Sequence, residues 1–113
     1  MIPLNYTALA GSFDDISTAS TLYFVAPDAG LLRSVHITLV NAITAANALV
    51  TFKVDNVSVG GTLTIEYNGS AKGKAFKADF AGVPIKKGSL IEVISDGASS
   101  TTCVAPCTVL VSN

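Results

Sequence analysis

Between Leu31 and Asn41 polar and apolar side chains alternate: Val35, Ile37 and Leu39 fall on one side, and Ser34, His36 and Thr38 on the other. A period of two sends successive side chains to opposite faces, so the segment is a strand with one face on a core. The pattern returns from Leu49 to Asp55, where Val50, Phe52 and Val54 oppose Thr51 and Lys53. It returns again from Thr62 to Tyr67, between the Gly60-Gly61 break and an Asn68-Gly69 turn. Shorter runs at Leu22–Ala26, Ala75–Phe80 and Thr108–Val111 carry the same β-rich character. Ser89–Ser95 is apolar on both sides apart from Glu92, as a central strand or a face meeting a partner would be. The alanine-rich stretch from Ala42 to Ala48 is interrupted by Thr44 and Asn47 and reads as a loop or a single turn. Short strands every 8–12 residues or so, with turn signals between them, predict an all-β single domain, a β-sandwich or jelly roll.

The first 20 residues differ in character. Ile2, Leu4, Tyr6, Leu9 and Phe13 are spaced among small polar residues and are followed by Asp14-Asp15. Two readings are open: an extended N-terminal arm over 1–20 that orders against a neighbouring molecule, or a terminus lying along its own domain. The first divides the chain into an arm, 1–20, and a sandwich domain, 21–113, and makes those five side chains the candidate contacts.

Only 13% of the 113 residues are charged, about half the usual share. The 22 serines and threonines outnumber the 15 charged residues, so a neutral, hydroxylated surface is expected. Six lysines scattered from Lys53 to Lys87 and one arginine, Arg33, give a net charge of −1 and no basic stripe, so a nucleic-acid partner is not expected. No run approaches the ~18 apolar residues of a membrane span, and nothing resembles a signal peptide; synthesis in the cytoplasm and no membrane partner are the expectation.

Candidate chemistry is sparse. His36 is the one histidine, it sits on the polar face of its strand, and no G-x-S-x-G elbow accompanies it. Asp14-Asp15 lacks the spaced oxygen ligands of a calcium loop and reads as a cap or a solvated pair. Gly60-Gly61 and Asn68-Gly69-Ser70 precede no helix and read as turns, and Lys72, Lys74 and Lys77 form a small cationic cluster. Cys103 and Cys107 are spaced unlike a redox or zinc motif. On a straight strand their α-carbons would lie ~13 Å apart, too far for a disulfide unless the chain bends at Pro106; otherwise they are buried, reduced thiols. No catalytic, cofactor or metal-binding residue is assigned, and an enzyme is not expected.

Asp14-Asp15-Ile16-Ser17-Thr18-Ala19-Ser20, followed by Leu22-Tyr23-Phe24-Val25-Ala26-Pro27-Asp28-Ala29-Gly30, resembles the small decoration, or cement, proteins of tailed-bacteriophage capsids. The similarity continues through Ala48–Val54, Gly61–Ile65 and Gly88–Gly97. The Ala26-Pro27-Asp28-Ala29-Gly30 turn and the Lys87–Val93 strand are also similar to those of trimeric jelly rolls of the C1q and tumour-necrosis-factor type. The resemblance implies a homotrimer on threefold axes of the virion surface, with the major capsid protein as partner. It brings no catalytic residues. The rival expectation is a glycan- or receptor-binding module of a phage fibre or spike, with Tyr6, Tyr23 and Tyr67 as stacking surfaces.

Overall fold

The computed structural model describes residues 6–112. They form nine strands: β1 (Tyr6–Phe13), β2 (Ser20–Val25), β3 (Gly30–Thr38), β4 (Ala48–Val54), β5 (Val57–Ser58), β6 (Leu63–Ile65), β7 (Ala75–Ile85), β8 (Leu90–Ser95) and β9 (Ala105–Ser112). One sheet has the order β1-β9-β3-β7; the other has the order β2-β8-β4-β5, with β6 also pairing β4. All pairings are antiparallel, and the chain crosses between sheets at every connection except those joining β4, β5 and β6. The molecule is a β-sandwich.

The alternation read from the sequence is the alternation that packs the core. Val50, Phe52 and Val54 of β4 point inward with Ile91 and Val93 of β8, facing Val35 and Ile37 of β3 and Val109 and Val111 of β9. Phe52 meets Phe80 edge to face at a centroid distance of 5.2 Å, a favoured aromatic geometry. Leu32 also points inward although it is three positions from Val35, because a bulge interrupts the period of two. Between the pairs Leu32–Val111 and Ser34–Leu110, Arg33 is an extra residue against β9; between Leu32–Val83 and Ser34–Asp79 it faces three residues of β7.

Two elements fall outside the sequence expectation. β5 follows β4 through a two-residue turn at Asp55 and Asn56, both at positive φ (51° and 68°), the type I′ geometry that matches strand twist. The other is β1. Of the two readings open for residues 1–20, the described residues follow the second, a terminus lying along its own domain, and not the free arm: Tyr6–Phe13 pairs with β9 along its whole length, Phe13 and Ile16 are buried in the core, and Ser20 already belongs to β2. What hides β1 in the sequence is its small inward position, Gly11, where a Cβ would lie 3.0 Å from the ring of Phe24 on the opposite sheet. The two sheets approach closely there because that residue has no side chain.

Candidate interaction surfaces

The strand directions collect the four long connections at one end of the sandwich. Residues 14–19, 39–47, 66–74 and 96–104 meet there, while the short turns 26–29, 55–56 and 86–89 occupy the other end with Tyr6 and Ser112. The long loops have a core of their own, with Ile16, Leu39, Ile43 and Cys103 all buried beneath them. Their backbones are tied across large sequence separations: Ile16 N–H donates to the Cys103 carbonyl (2.8 Å), Val40 N–H to Val104 (3.1 Å) and Ser100 N–H to Thr44 (3.0 Å). The Ser70 hydroxyl accepts from Ile43 N–H (3.0 Å) and donates to the Tyr67 carbonyl (2.8 Å). Asn47 Oδ1 accepts from Tyr67 N–H (3.1 Å). Ala45, at φ 71°, centres a tight turn in which Ala46 N–H donates to the Thr44 carbonyl. The loops thereby present Thr18, Thr44, Tyr67, Asn68 and Thr102 on a surface fixed from beneath.

Asp15 organises this end. Its carboxylate accepts from Ser17 Oγ (2.6 Å), Ser17 N–H (3.0 Å), Thr18 Oγ1 (3.2 Å) and Cys103 N–H (3.1 Å). The Ser17 bonds above all hold it below the usual carboxylate pKa. The reading of Asp14-Asp15 as a cap is met at Asp15. Asp55 does the matching work at the turn end, accepting from Leu90 N–H (3.0 Å) and Ser89 Oγ (2.9 Å), and the Leu90 bond in particular lowers its pKa.

The five candidate contact residues separate. Ile2 and Leu4 lie outside the described residues. Tyr6 is 57% exposed at the start of β1, Leu9 is half-buried and points inward opposite Val109, and Phe13 is 1% exposed. Phe13 is therefore a core residue and not an outward contact: residues of one strand two apart share a face, and its face is the buried one. His36 lies half-buried on the outer face of β3, with Nε2 3.0 Å from Ser34 Oγ and with Thr108 and Lys77 as its cross-strand neighbours. The lysine cluster disperses: Lys74 bonds the Gly69 carbonyl (3.3 Å) and lies over Phe76, whereas Lys77 pairs with Asp79 (3.4 Å). Cys103 and Cys107 are free, buried thiols. Cys103 Sγ donates to the Asn41 carbonyl (3.3 Å), and burial pushes the Cys107 thiol up to about 12. Protonated and enclosed, Cys107 is chemically inert at neutral pH.

Two shallow clefts of about 300 Å³ each open on the surface. One lies between Gly60-Gly61 and the bulged part of β7, with Val59, Phe80 and Val83 in its walls; the other lies beside Asp14, Asp15, Thr18 and Leu22. Larger exposed apolar side chains stand elsewhere. Tyr23 and Val25, 64% and 62% exposed, project from the outer face of β2, with half-buried Leu90 and Ile94 beside them on β8. The sequence contains the signal for these: Thr21, Tyr23 and Val25 share one period-two face, but so do Leu22 and Phe24, and composition alone does not say which face turns inward.

No family model matches the chain, and no curated protein matches it. Among solved structures the fold is shared with a chain of the acid-stable capsid structure of Helicobacter pylori bacteriophage KHP30, with a TM-score of 0.63 and 11% identity. The match covers 96% of this chain and 87% of that one, so at this low identity the likeness is one of fold, and it spans the whole sandwich.

Proposed function

We propose that this chain is a structural protein of a bacteriophage virion that sits on the outer surface of the capsid as a homotrimer, binds the major capsid protein and clamps neighbouring capsid subunits. The observation that carries this reading is the sandwich, shared along 96% of the chain with a phage capsid structure. The winding supports it further: the chain passes back and forth between its two sheets, as it does in the double-sheet jelly rolls found among viral capsid domains. On this reading the molecule stabilises a shell through buried area and through three simultaneous attachments, not through catalysis, nucleic-acid binding or membrane insertion.

The contact with the shell is made by the N-terminal residues Ile2 and Leu4 together with Tyr6. Phe13 does not take part, because it is needed in the core. The truncation that separates docking from folding is accordingly the removal of residues 1–5, since removal of 1–13 would also delete β1. In co-sedimentation with emptied phage heads, the full chain is expected to bind saturably and the chain lacking 1–5 to remain in the supernatant. Absence of binding by the full chain overturns the proposal, and binding retained by the truncated chain overturns the placement of the contact.

The rival reading, a glycan- or receptor-binding module of a fibre or spike, draws on Tyr67, which is 44% exposed among the amides and hydroxyls of the loop end. Binding to a glycan array without affinity for heads would favour it.

A further inference from the structure

A β-sandwich has four strand edges, and an exposed edge invites pairing with another chain unless it is shortened, bulged, interrupted by proline or charged. Here the edges divide by side. β7 carries Lys77, Asp79, the irregularity opposite Arg33 and Pro84; on the same side of the sandwich β5 and β6 have only two and three residues. That side is defended four ways. On the other side, β1 (YTALAGSF) and β2 (STLYFV) contain no charge and no proline, and each keeps an unbroken register with its one partner strand.

We infer that this uncharged side, formed by β1 and β2 and continued around the β2 corner by Tyr23 and Val25, is the surface on which a second copy of this chain seats. The partner is set by charge. A surface whose two strands carry no ionic group, with charge only at Asp14 and Asp15 at its loop end and at Glu92 beside Tyr23, offers little to a strongly charged macromolecule and matches an ion-poor one; the chain itself, at 13% charged residues, has that composition. The area suffices. Eight strand residues span roughly 27 Å, and two sheets ~10 Å apart with their side chains give a side of some ~500 Å² per copy, near the ~1,000 Å² total that a specific interface needs.

The shape bears on how many copies join. A two-fold pair uses one self-complementary plane, whereas a ring needs two different surfaces that meet at an angle. The surface turns such a corner, from the β1–β2 edge onto the outer face of β2 and β8, where Tyr23, Val25, Leu90 and Ile94 surround one carboxylate, Glu92, the cross-strand partner of Tyr23, with Lys53 beyond it on β4. This inference rests on the self-association in the proposed function and assigns its surface.

The test places a lysine in each strand at exposed, outward positions, Ala10→Lys with Tyr23→Lys, and measures mass by sedimentation equilibrium, with Ala81→Lys on the β7 side as control. The wild type and the control are expected at a multiple of 11.5 kDa and the double variant at 11.5 kDa, with cooperative thermal unfolding in all three. If the double variant fails to fold, the single variants Ala10→Lys and Val25→Lys carry the same test, each expected to weaken association at least tenfold. A variant that keeps the wild-type mass, or a wild type that is monomeric, overturns the inference. A wild-type dimer dispersed by the lysines supports the surface and overturns the trimer; an oligomer that ignores phage heads overturns only the capsid reading.

Discussion

The two ends of the sandwich solve the same problem with different means. At the turn end, connections of two to four residues close on themselves, with Ser89 N–H to the Lys86 carbonyl, Lys86 N–H to the Ser89 hydroxyl and Ala29 N–H to Asp28. The closed turns are then tied to one another by Gly88 N–H to the Ala26 carbonyl and the Ser89 hydroxyl to Asp55. At the loop end, longer connections are held by buried apolar side chains and by bonds between residues far apart in sequence, such as Cys103 N–H to Asp15 and the buried Ser95 hydroxyl to the Ile16 carbonyl. The difference teaches where order comes from. Short turns are fixed by local backbone geometry, and long loops are fixed only if part of the core extends beneath them.

β1 runs from one end to the other and gives the largest expected contrast. Phe13, at the loop end, is buried, and Tyr6, at the turn end, is exposed. Phe13→Ala is expected to cost about 3–5 kcal/mol, and Tyr6→Ala less than about 0.5 kcal/mol, both read from denaturant midpoints. Equal small effects would mean that β1 is not part of the folded core and would restore the arm in its first form.

Two glycines at positive φ sharpen the comparison. At Gly97 (φ 69°), in the loop end, a Cβ would lie 2.3 Å from Ala19 N, and at Gly88 (φ 86°), in the turn end, it would meet nothing within 4 Å. Both substitutions to alanine incur the left-handed backbone strain, about 1 kcal/mol, and only Gly97→Ala adds a backbone collision. The expected losses are about 3 kcal/mol or more for Gly97→Ala and about 1 kcal/mol for Gly88→Ala. Similar losses at the two sites would show that strain alone governs both ends.

These residues also mark what the sequence discloses. Strands β3 and β4 are legible because the inward positions of each carry an apolar period of two, and β8 is legible as a central strand or as a face meeting a partner because it is apolar on both sides apart from Glu92. β7 is legible only to Phe80, since the irregular pairing opposite Arg33 breaks its alternation before Ile85. β1 is concealed because Gly11 occupies an inward position that the pattern expects a large side chain to fill. The Asp55-Asn56 pair is a hairpin signal of known kind, and reading it would have found β5. The ties of the loop end lie beyond sequence reading: nothing in a linear string places Asp15 against Cys103, 88 residues away. The uncharged edges were legible as composition and became a surface only once the strand order put β1 and β2 on one side.

The smallest expected effect concerns the two aspartates, one at each end. The carboxylates of Asp15 and Asp55 are both held below their ordinary value of 3.8 by bonds that form only in the folded chain. A depressed folded pKa means that the ionised form is the one the fold stabilises, so the contribution is full above about pH 4, where the unfolded carboxylate is also ionised, and is lost as pH falls through the lower folded values. The denaturant midpoint of the wild type is expected to drop between about pH 4 and pH 2. Asp15→Asn and Asp55→Asn should each lower the midpoint at pH 7 and flatten that drop. The flattening should be greater for Asp15, which accepts from Ser17, Thr18 and Cys103, than for Asp55, which accepts from Leu90 and Ser89. An acid profile unchanged by Asp15→Asn and altered by Asp55→Asn would reverse the ranking and place the acid-sensitive joint at the turn end.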